Sequence, residues 1–315
     1  MDAAIALGER GRGRTAPNPN VGCVIVRDGA VAGRGWTQPG GRPHAEAAAL
    51  AQAGAGARGA IVYVTLEPCA HESARGPACA DLLVAAKPER IVVAAGDPDP
   101  RTDGAGIARL RAAGLTVDVG VRADAAERSM AGFFSRVRLG RPFVTLKLAL
   151  SIDGMIAAAS GESKWITGEE ARAHAHLERA RSDMILVGRG TFAADSPRLD
   201  VRLPGLEDRS PRRALLTTGA PVEGWTRLSS PQAIRTLTDV NDLLVEGGAE
   251  TAASFLAGDL VDRLLIYRAP ILIGDGKPGL APAALGSLAD AHGRWRLDDT
   301  RQLGSDTLQV YERAR

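Results

Sequence analysis

Apolar residues recur along the chain with two different periods. In VGCVIVRDGAVAGRG (21–35) they alternate with polar ones on either side of an Asp-Gly pair, the pattern of two strands joined by a tight turn. HAEAAALAQAG (44–54) predicts a helix stopped by Gly54, and AIVYVTLEPC (60–69) a strand running into an open loop. ACADLLVAAK (78–87) is helical, RIVVAAGDPDP (90–100) is a strand ending in a turn, and GIARLRAAGLTVDVG (106–120) gives a helix, a glycine stop and a short strand. Strands alternating with helices predict an α/β layer with functional residues at the carboxyl ends of strands.

A basic stretch punctuated by glycine and proline, RVRLGRP (136–142), separates this series from a fresh strand, FVTLKLAL (143–150). The expected domains are therefore 1–143 and 144–315. The second half predicts further strands at MILVG, RALLTT, DLLVEGG, RLLIYRAPIL and TLQVYER, and helices near 168–181 and 249–258. PGLEDRSPRR (204–213) and GDGKPGLAPAALG (274–286) have the composition of exposed loops.

Composition narrows the function. The 315 residues suffice for two domains with cores of their own, and no apolar run approaches the roughly 18–20 residues of a membrane helix. MDAAIALGERGRG, at the start, reads as an amphipathic helix and not as a basic leader before an apolar core, so the cytoplasm is the expected compartment. Net charge is +2, and the basic residues are spread along the chain without interleaved aromatics. Nucleic acid and membranes are therefore not expected partners. A small-molecule substrate is expected, handled by a homo-oligomer.

Cys23, Cys69 and Cys79 make an odd count in a chain expected in a reducing compartment, which favours a metal site or buried thiols over a disulfide. His44 opens the helix upstream, Cys69 follows Pro68 at a strand end and Cys79 opens its own helix. One histidine and two thiolates suit a tetrahedral zinc with one position left for water, the pattern of a catalytic site. His71 is a rival ligand, with a substrate contact the preferred reading. Glu46, two residues after His44, is the candidate proton shuttle. The pattern H-x-E followed by P-C is that of zinc-dependent deaminases, although the second cysteine here comes after nine intervening residues and not two.

In the second half, VGRGTFAAD (187–195) fits G-x-G-x-x-A, a weak nucleotide signal taken alone. LLVEGGAETAASFL offers a better cradle: a strand ends at Glu246-Gly247-Gly248 and a helix begins, placing backbone N–H groups and a helix N-terminus where phosphates could sit.

PNPNVGCVIV, PHAEAAAL, TLEPCAH and GDPDP in the first half, with LKLALSIDGMIA, SGESKWITG, VGRGTFAADSPRLDVR and LLVEGG in the second, resemble the bacterial bifunctional riboflavin-biosynthesis deaminase–reductase family. The resemblance implies a cytidine-deaminase-like α/β/α domain followed by a dihydrofolate-reductase-like α/β domain. It implies Zn2+ on His44, Cys69 and Cys79, Glu46 as proton donor, and Asn18 and His71 as pyrimidine contacts. For the reductase it implies NADPH at Ala149, Trp165, Thr191, Asp195, Gly247 and Gly248. The sugar phosphate would be held by Ser163, Arg179 and Arg202, with Glu246 near the substrate.

Three departures from the family pattern stand out. The loop usually written PCSHxGRTPPC is here PCAHESARGPAC, one residue longer, with Arg75 as a substitute basic contact. Asp99 stands where the family has Asn. The stretch between about 218 and 243 is shortened, which predicts the loss of a strand and a helix. The alternative reading is a deaminase whose C-terminal half is a degenerate binding or oligomerisation module.

Overall fold

A computed structural model describes residues 1–71, 76–281 and 287–315. The chain divides into two compact units, Met1–Gly140 and Arg141–Arg315. Arg75 and the 282–286 end of the GDGKPGLAPAALG loop lie outside the described residues.

In the first unit, helix α1 (Asp2–Gly8) precedes the hairpin β1 (Gly22–Arg27) and β2 (Ala30–Trp36). Helix α2 (Ala45–Ala53), strand β3 (Ile61–Leu66), helix α3 (Cys79–Ala86) and strand β4 (Arg90–Ala95) follow. Helix α4 (Ala105–Ala112), strand β5 (Thr116–Val119) and helices α5 (Ala123–Ser129) and α6 (Ala131–Leu139) complete the unit. The sheet runs β2-β1-β3-β4-β5, antiparallel through the hairpin and β3, parallel from β3 to β5. The Asp28-Gly29 turn has positive φ at both residues, as a two-residue hairpin requires. Val62, Val64, Ile91, Val93, Leu83 and Leu110 are fully enclosed in its core.

The seat of α2 decides where His44 and Glu46 end up. Gly33 and Gly35 lie two apart on β2 and so share a face, which the α2 backbone covers. A Cβ at Gly33 would come within 2.3 Å of the Ala49 carbonyl, and one at Gly35 within 2.1 Å of the Ala45 carbonyl. Only glycine permits that approach, and alanines on the facing side of α2 complete it.

The second unit contains β6 (Phe143–Leu150), β7 (Met155–Ala158), α7 (Glu169–Ala180), β8 (Met184–Gly188) and α8 (Arg189–Asp195). These are followed by β9 (Arg212–Leu216), β10 (Thr226–Leu228), β11 (Asp242–Val245), α9 (Ala249–Ala257), β12 (Arg263–Arg268), β13 (Gly276–Pro278) and the hairpin β14 (Trp295–Leu303) and β15 (Asp306–Arg313). Its main sheet is ordered β10-β9-β8-β11-β6-β12-β15-β14, parallel as far as β12 and antiparallel beyond. β13 and β7 form a separate pair. The near-continuous apolar runs of β8 and β11, buried throughout, belong to strands covered on both faces.

The short stretch between about 218 and 243 carries the strand β10, parallel to β9, and a 3-10 helix at Pro231–Thr236 whose Ile234 is buried in the core.

Candidate active sites

His44 is the N-cap of α2, Cys79 is the first residue of α3, and Cys69 lies in the loop after β3. Their ligand atoms lie within 4.8 Å of one another. His44 Nδ1 is 3.3 Å from Cys79 Sγ and 3.6 Å from Cys69 Sγ. A tetrahedral zinc with ordinary Zn–S and Zn–N bonds sets nitrogen and sulfur about 3.5 Å apart, so the trio fits the ion. The Cys79 N–H donates to Cys69 Sγ at 3.3 Å, so the positive end of α3 points at a sulfur. The Cys69 thiol is drawn down to about 4, first by the hydrogen bond from the Cys79 side chain. The same bond, with burial, pushes Cys79 up. Cys23 stands apart from the trio, enclosed in the core on β1, and burial raises its thiol well above the ordinary range.

The second ring nitrogen is also placed. The Asn18 amide lies 3.2 Å from His44 Nε2 and donates to the Gly41 carbonyl at 3.1 Å. Gly41 has φ +82, and a Cβ there would fall 2.6 Å from Asn18 Cγ, so this clasp needs glycine. A partner on the far side of a metal-ligating imidazole fixes the ring's orientation.

Glu46, 3% exposed in the first turn of α2, faces the same cleft. Burial pushes its carboxyl up to about 7, against the lowering effect of His44. The cleft measures about 290 Å³ and is also lined by Asn18, His71, Asp97, Asp99 and Arg101. His71 Nδ1 is buried with no hydrogen-bond partner among the described residues. Burial raises Asp97 to about 6, and Arg101 holds Asp99 below the ordinary range.

Glu67, Arg42 and Arg136 also line this cleft and were not singled out by the sequence patterns. Arg136 lies in the stretch that reads as a linker, and Glu67 inside TLEPC is overshadowed by the cysteine beside it.

The second unit gathers its expected residues into two groups. In the first, Thr191 in α8 accepts a hydrogen bond from the Gly248 N–H at 3.1 Å. This joins the loops that follow β8 and β11, where α8 and α9 begin. Asp195, ending α8, is 3.9 Å from the Lys164 ammonium, next to Ser163 and Trp165. Trp165 is 66% exposed, with the Arg172 guanidinium 4.8 Å from its ring centre.

In the second group, Arg179 at the end of α7 grips Glu246 with two hydrogen bonds, Nε to Oε1 at 2.7 Å and Nη2 to Oε2 at 2.9 Å. Its Nη1 donates to the Asp200 carbonyl at 3.1 Å, and Arg202 pairs with the Asp200 carboxylate at 2.5 Å. Lys147 Nζ lies 3.8 Å from Glu246, and Ala149 follows two places on along β6, hence on the same face. Burial would raise Glu246, but Lys147 and Arg179 together bring it down to about 2. Among the described residues no hydrogen bond joins Ser163 to Arg179 or Arg202. Asp153 is a turn residue: it accepts from the Ser151 hydroxyl at 2.5 Å and the Gly274 N–H at 2.7 Å.

Fold and site define a chain of two enzyme-like halves, a cytidine-deaminase-type zinc unit and a reductase-type unit. Residues 1–95 match the cytidine and deoxycytidylate deaminase zinc-binding region, and residues 142–309 match the RibD C-terminal domain. The chain is 39% identical to the riboflavin biosynthesis protein RibD of Escherichia coli, over 97% of its own length and 96% of that protein's. Acinetobacter baumannii RibD, form 1, superposes with a TM-score of 0.91 at 36% identity, covering 100% of this chain and 98% of that one. A Thermotoga maritima diaminohydroxyphosphoribosylaminopyrimidine deaminase/5-amino-6-(5-phosphoribosylamino)uracil reductase also reaches 0.91, at 30% identity, with coverage of 100% and 97%. The chain belongs to the RibD family of riboflavin biosynthesis proteins.

Proposed function

We infer that the chain is a bifunctional enzyme of riboflavin biosynthesis. Its first unit hydrolyses the amino group of 2,5-diamino-6-(5-phosphoribosylamino)pyrimidin-4-one; its second reduces the ribosyl side chain to ribityl with NADPH. The observation that carries the reading is the convergence of His44, Cys69 and Cys79, their ligand atoms within 4.8 Å of one another, beside buried Glu46, in a chain that continues into a RibD C-terminal domain. That continuation favours the bifunctional reading over a deaminase with a degenerate second half.

His44, Cys69 and Cys79 hold zinc, which when bound supplies the Lewis acidity that makes water nucleophilic near neutral pH. Glu46 takes a proton from the water whose oxygen joins the ring carbon, and returns protons to the departing nitrogen as the C–N bond breaks and ammonia leaves. Asn18 holds His44 and, with His71 Nδ1, which has no partner among the described residues, meets the pyrimidine's polar edge.

Thr191, Asp195, Ala149, Trp165 and the Gly247-Gly248 turn hold NADPH, which supplies the hydride. The starts of α8 and α9 carry the backbone N–H groups and positive dipole ends that suit its phosphates. Arg202, half exposed, is the readier fork for the sugar phosphate. Arg179 and Ser163 complete that site, and Glu246 is held against Lys147 on the substrate side. No helix among the described residues is long and apolar enough to cross a membrane, and the substrate is a small molecule; we place the enzyme in the cytoplasm as a homo-oligomer.

The test supplies the diaminopyrimidine phosphate and follows ammonia release and NADPH oxidation separately. Both are expected. Ammonia without oxidation would restore the deaminase-only alternative.

A further inference from the structure

Glu67 directly follows β3, two residues before Cys69, is 3% exposed, and takes no part in the chemistry above. Its carboxylate is met by backbone N–H groups of another segment: Oε2 accepts from Gly104 at 3.0 Å and Asp97 at 3.3 Å, and Oε1 accepts from Ile107 at 3.0 Å. Gly104 is the N-cap of α4 and Ile107 its third residue, the positions whose N–H groups a capping side chain normally satisfies. Gly104 has no side chain to offer, so the cap comes from across the fold, with a negative charge at the positive end of the helix.

A second contact fixes the same helix. A Cβ at Gly106 would fall 1.9 Å from the Pro68 carbonyl oxygen, so the first turn of α4 lies directly on the backbone that leads to Cys69. Between the anchors at 97 and 104 the chain turns into the deaminase cleft, where Asp97, Asp99 and Arg101 form one wall. Local bonds stiffen that wall: the Asp99 N–H donates to Asp97 Oδ1 at 2.9 Å, and Arg101 Nη2 to Asp99 Oδ2 at 2.5 Å.

We propose that Glu67 is a positioning residue for deamination. Together with Gly106 it seats residues 97–107 on the Pro68–Cys69 turn. It thereby sets the gap between the metal-binding trio and the wall of Asp97, Asp99 and Arg101, and fixes how tightly the pyrimidine is held. The proton-transfer step stays with Glu46. This assignment rests on the deaminase reading.

The experiment compares the full chain with Glu67→Gln and Gly106→Ala, measuring zinc content, steady-state ammonia release and, on deaminated substrate, NADPH oxidation. Gln keeps the shape but turns its NH2 toward a backbone N–H, leaving a buried donor unmet and loosening the seat. The expected result in both variants is a deamination KM raised about tenfold with kcat within about threefold, full zinc, and unchanged NADPH oxidation. A wild-type KM in either variant overturns the proposal. So does a fall in kcat with loss of zinc, which would make Glu67 a support of the metal trio instead. Gly106→Ala reports on the same seat without touching the carboxylate, so misfolding of one variant leaves the other decisive. Absence of ammonia release from the unaltered chain would overturn the deaminase reading itself.

Discussion

Glu46 and Glu246 meet opposite surroundings, and the difference suits them to the different work proposed for them. Glu46 lies in a cleft where burial dominates, and its carboxyl is pushed up to about 7, close to where a group that must both take and give a proton is most effective. Glu246 has its carboxylate tucked between Lys147 and the two-pronged Arg179, which hold it at about 2, a fixed negative charge. A carboxyl whose folded pKa lies below its ordinary value stabilises the fold once ionised. That stability is present above about pH 4.5 and is lost as pH falls toward 2. Glu246→Gln should therefore cost the second unit roughly 3 kcal/mol near neutrality. Thermal unfolding of variant and parent should converge as pH is lowered through that window. A gap that persists unchanged to pH 2 would mean that Glu246 is held by packing and not by charge. At this scale the sequence is legible where one residue type has few alternative uses. His44, Cys69, Cys79 and Glu46 announce themselves by type and spacing. Arg179 and Glu246 are expected in a site only through the resemblance, and their mutual pairing depends on the end of α7 reaching the residue after β11, which no local pattern encodes.

Elements bring these residues together through close backbone contact. Gly33 and Gly35 let α2 lie flat on β2, and α3 begins where its N–H groups reach Cys69. In the second unit, a Cβ at Gly247 would fall 2.5 Å from both Cβ and Cγ2 of Thr251, so the turn between β11 and α9 closes onto its own helix. A Cβ at Gly248 would meet only Thr191 Oγ1, at 3.4 Å. Gly247→Ala should open the turn and raise the NADPH KM about tenfold or more, while Gly248→Ala should act more weakly through contact with Thr191 alone. Steady-state NADPH titrations of the two variants check this order, and equal KM values would remove the turn from the cofactor site. Strong periodicity makes β1 to β5 and α2 to α4 readable in advance. The strands that escape notice, β7, β10, β13 and β14, are short or exposed. β14 reads WRLDDTRQL, mostly exposed and almost without apolar alternation; it is a strand because β15 offers it a ladder, not because it buries a face.

At the scale of the whole molecule, each reaction has its own scaffold. The zinc trio draws on α2, the β3 loop and α3, and the proposed cofactor cradle at Thr191 and Gly248 on the β8 and β11 loops, with no residue shared. The pattern at 136–142 marks where one alternation of strands and helices ends and another begins. Between 218 and 243 no strong periodicity marks an element, because β10 and the 3-10 helix after it contribute to the core through a few residues such as Leu228 and Ile234. Separate scaffolds imply separable losses. Removing the metal with a chelator should abolish ammonia release while leaving NADPH oxidation on the deaminated pyrimidine at its original rate. Glu46→Gln should give the same kinetic pattern by another route, with deamination falling about a hundredfold or more and zinc retained. Metal analysis distinguishes the two, and re-adding zinc rescues only the chelated enzyme. If chelation also stopped NADPH oxidation, the two halves would be coupled through the metal-bearing unit, and the reductase could not be treated as a fold that works on its own.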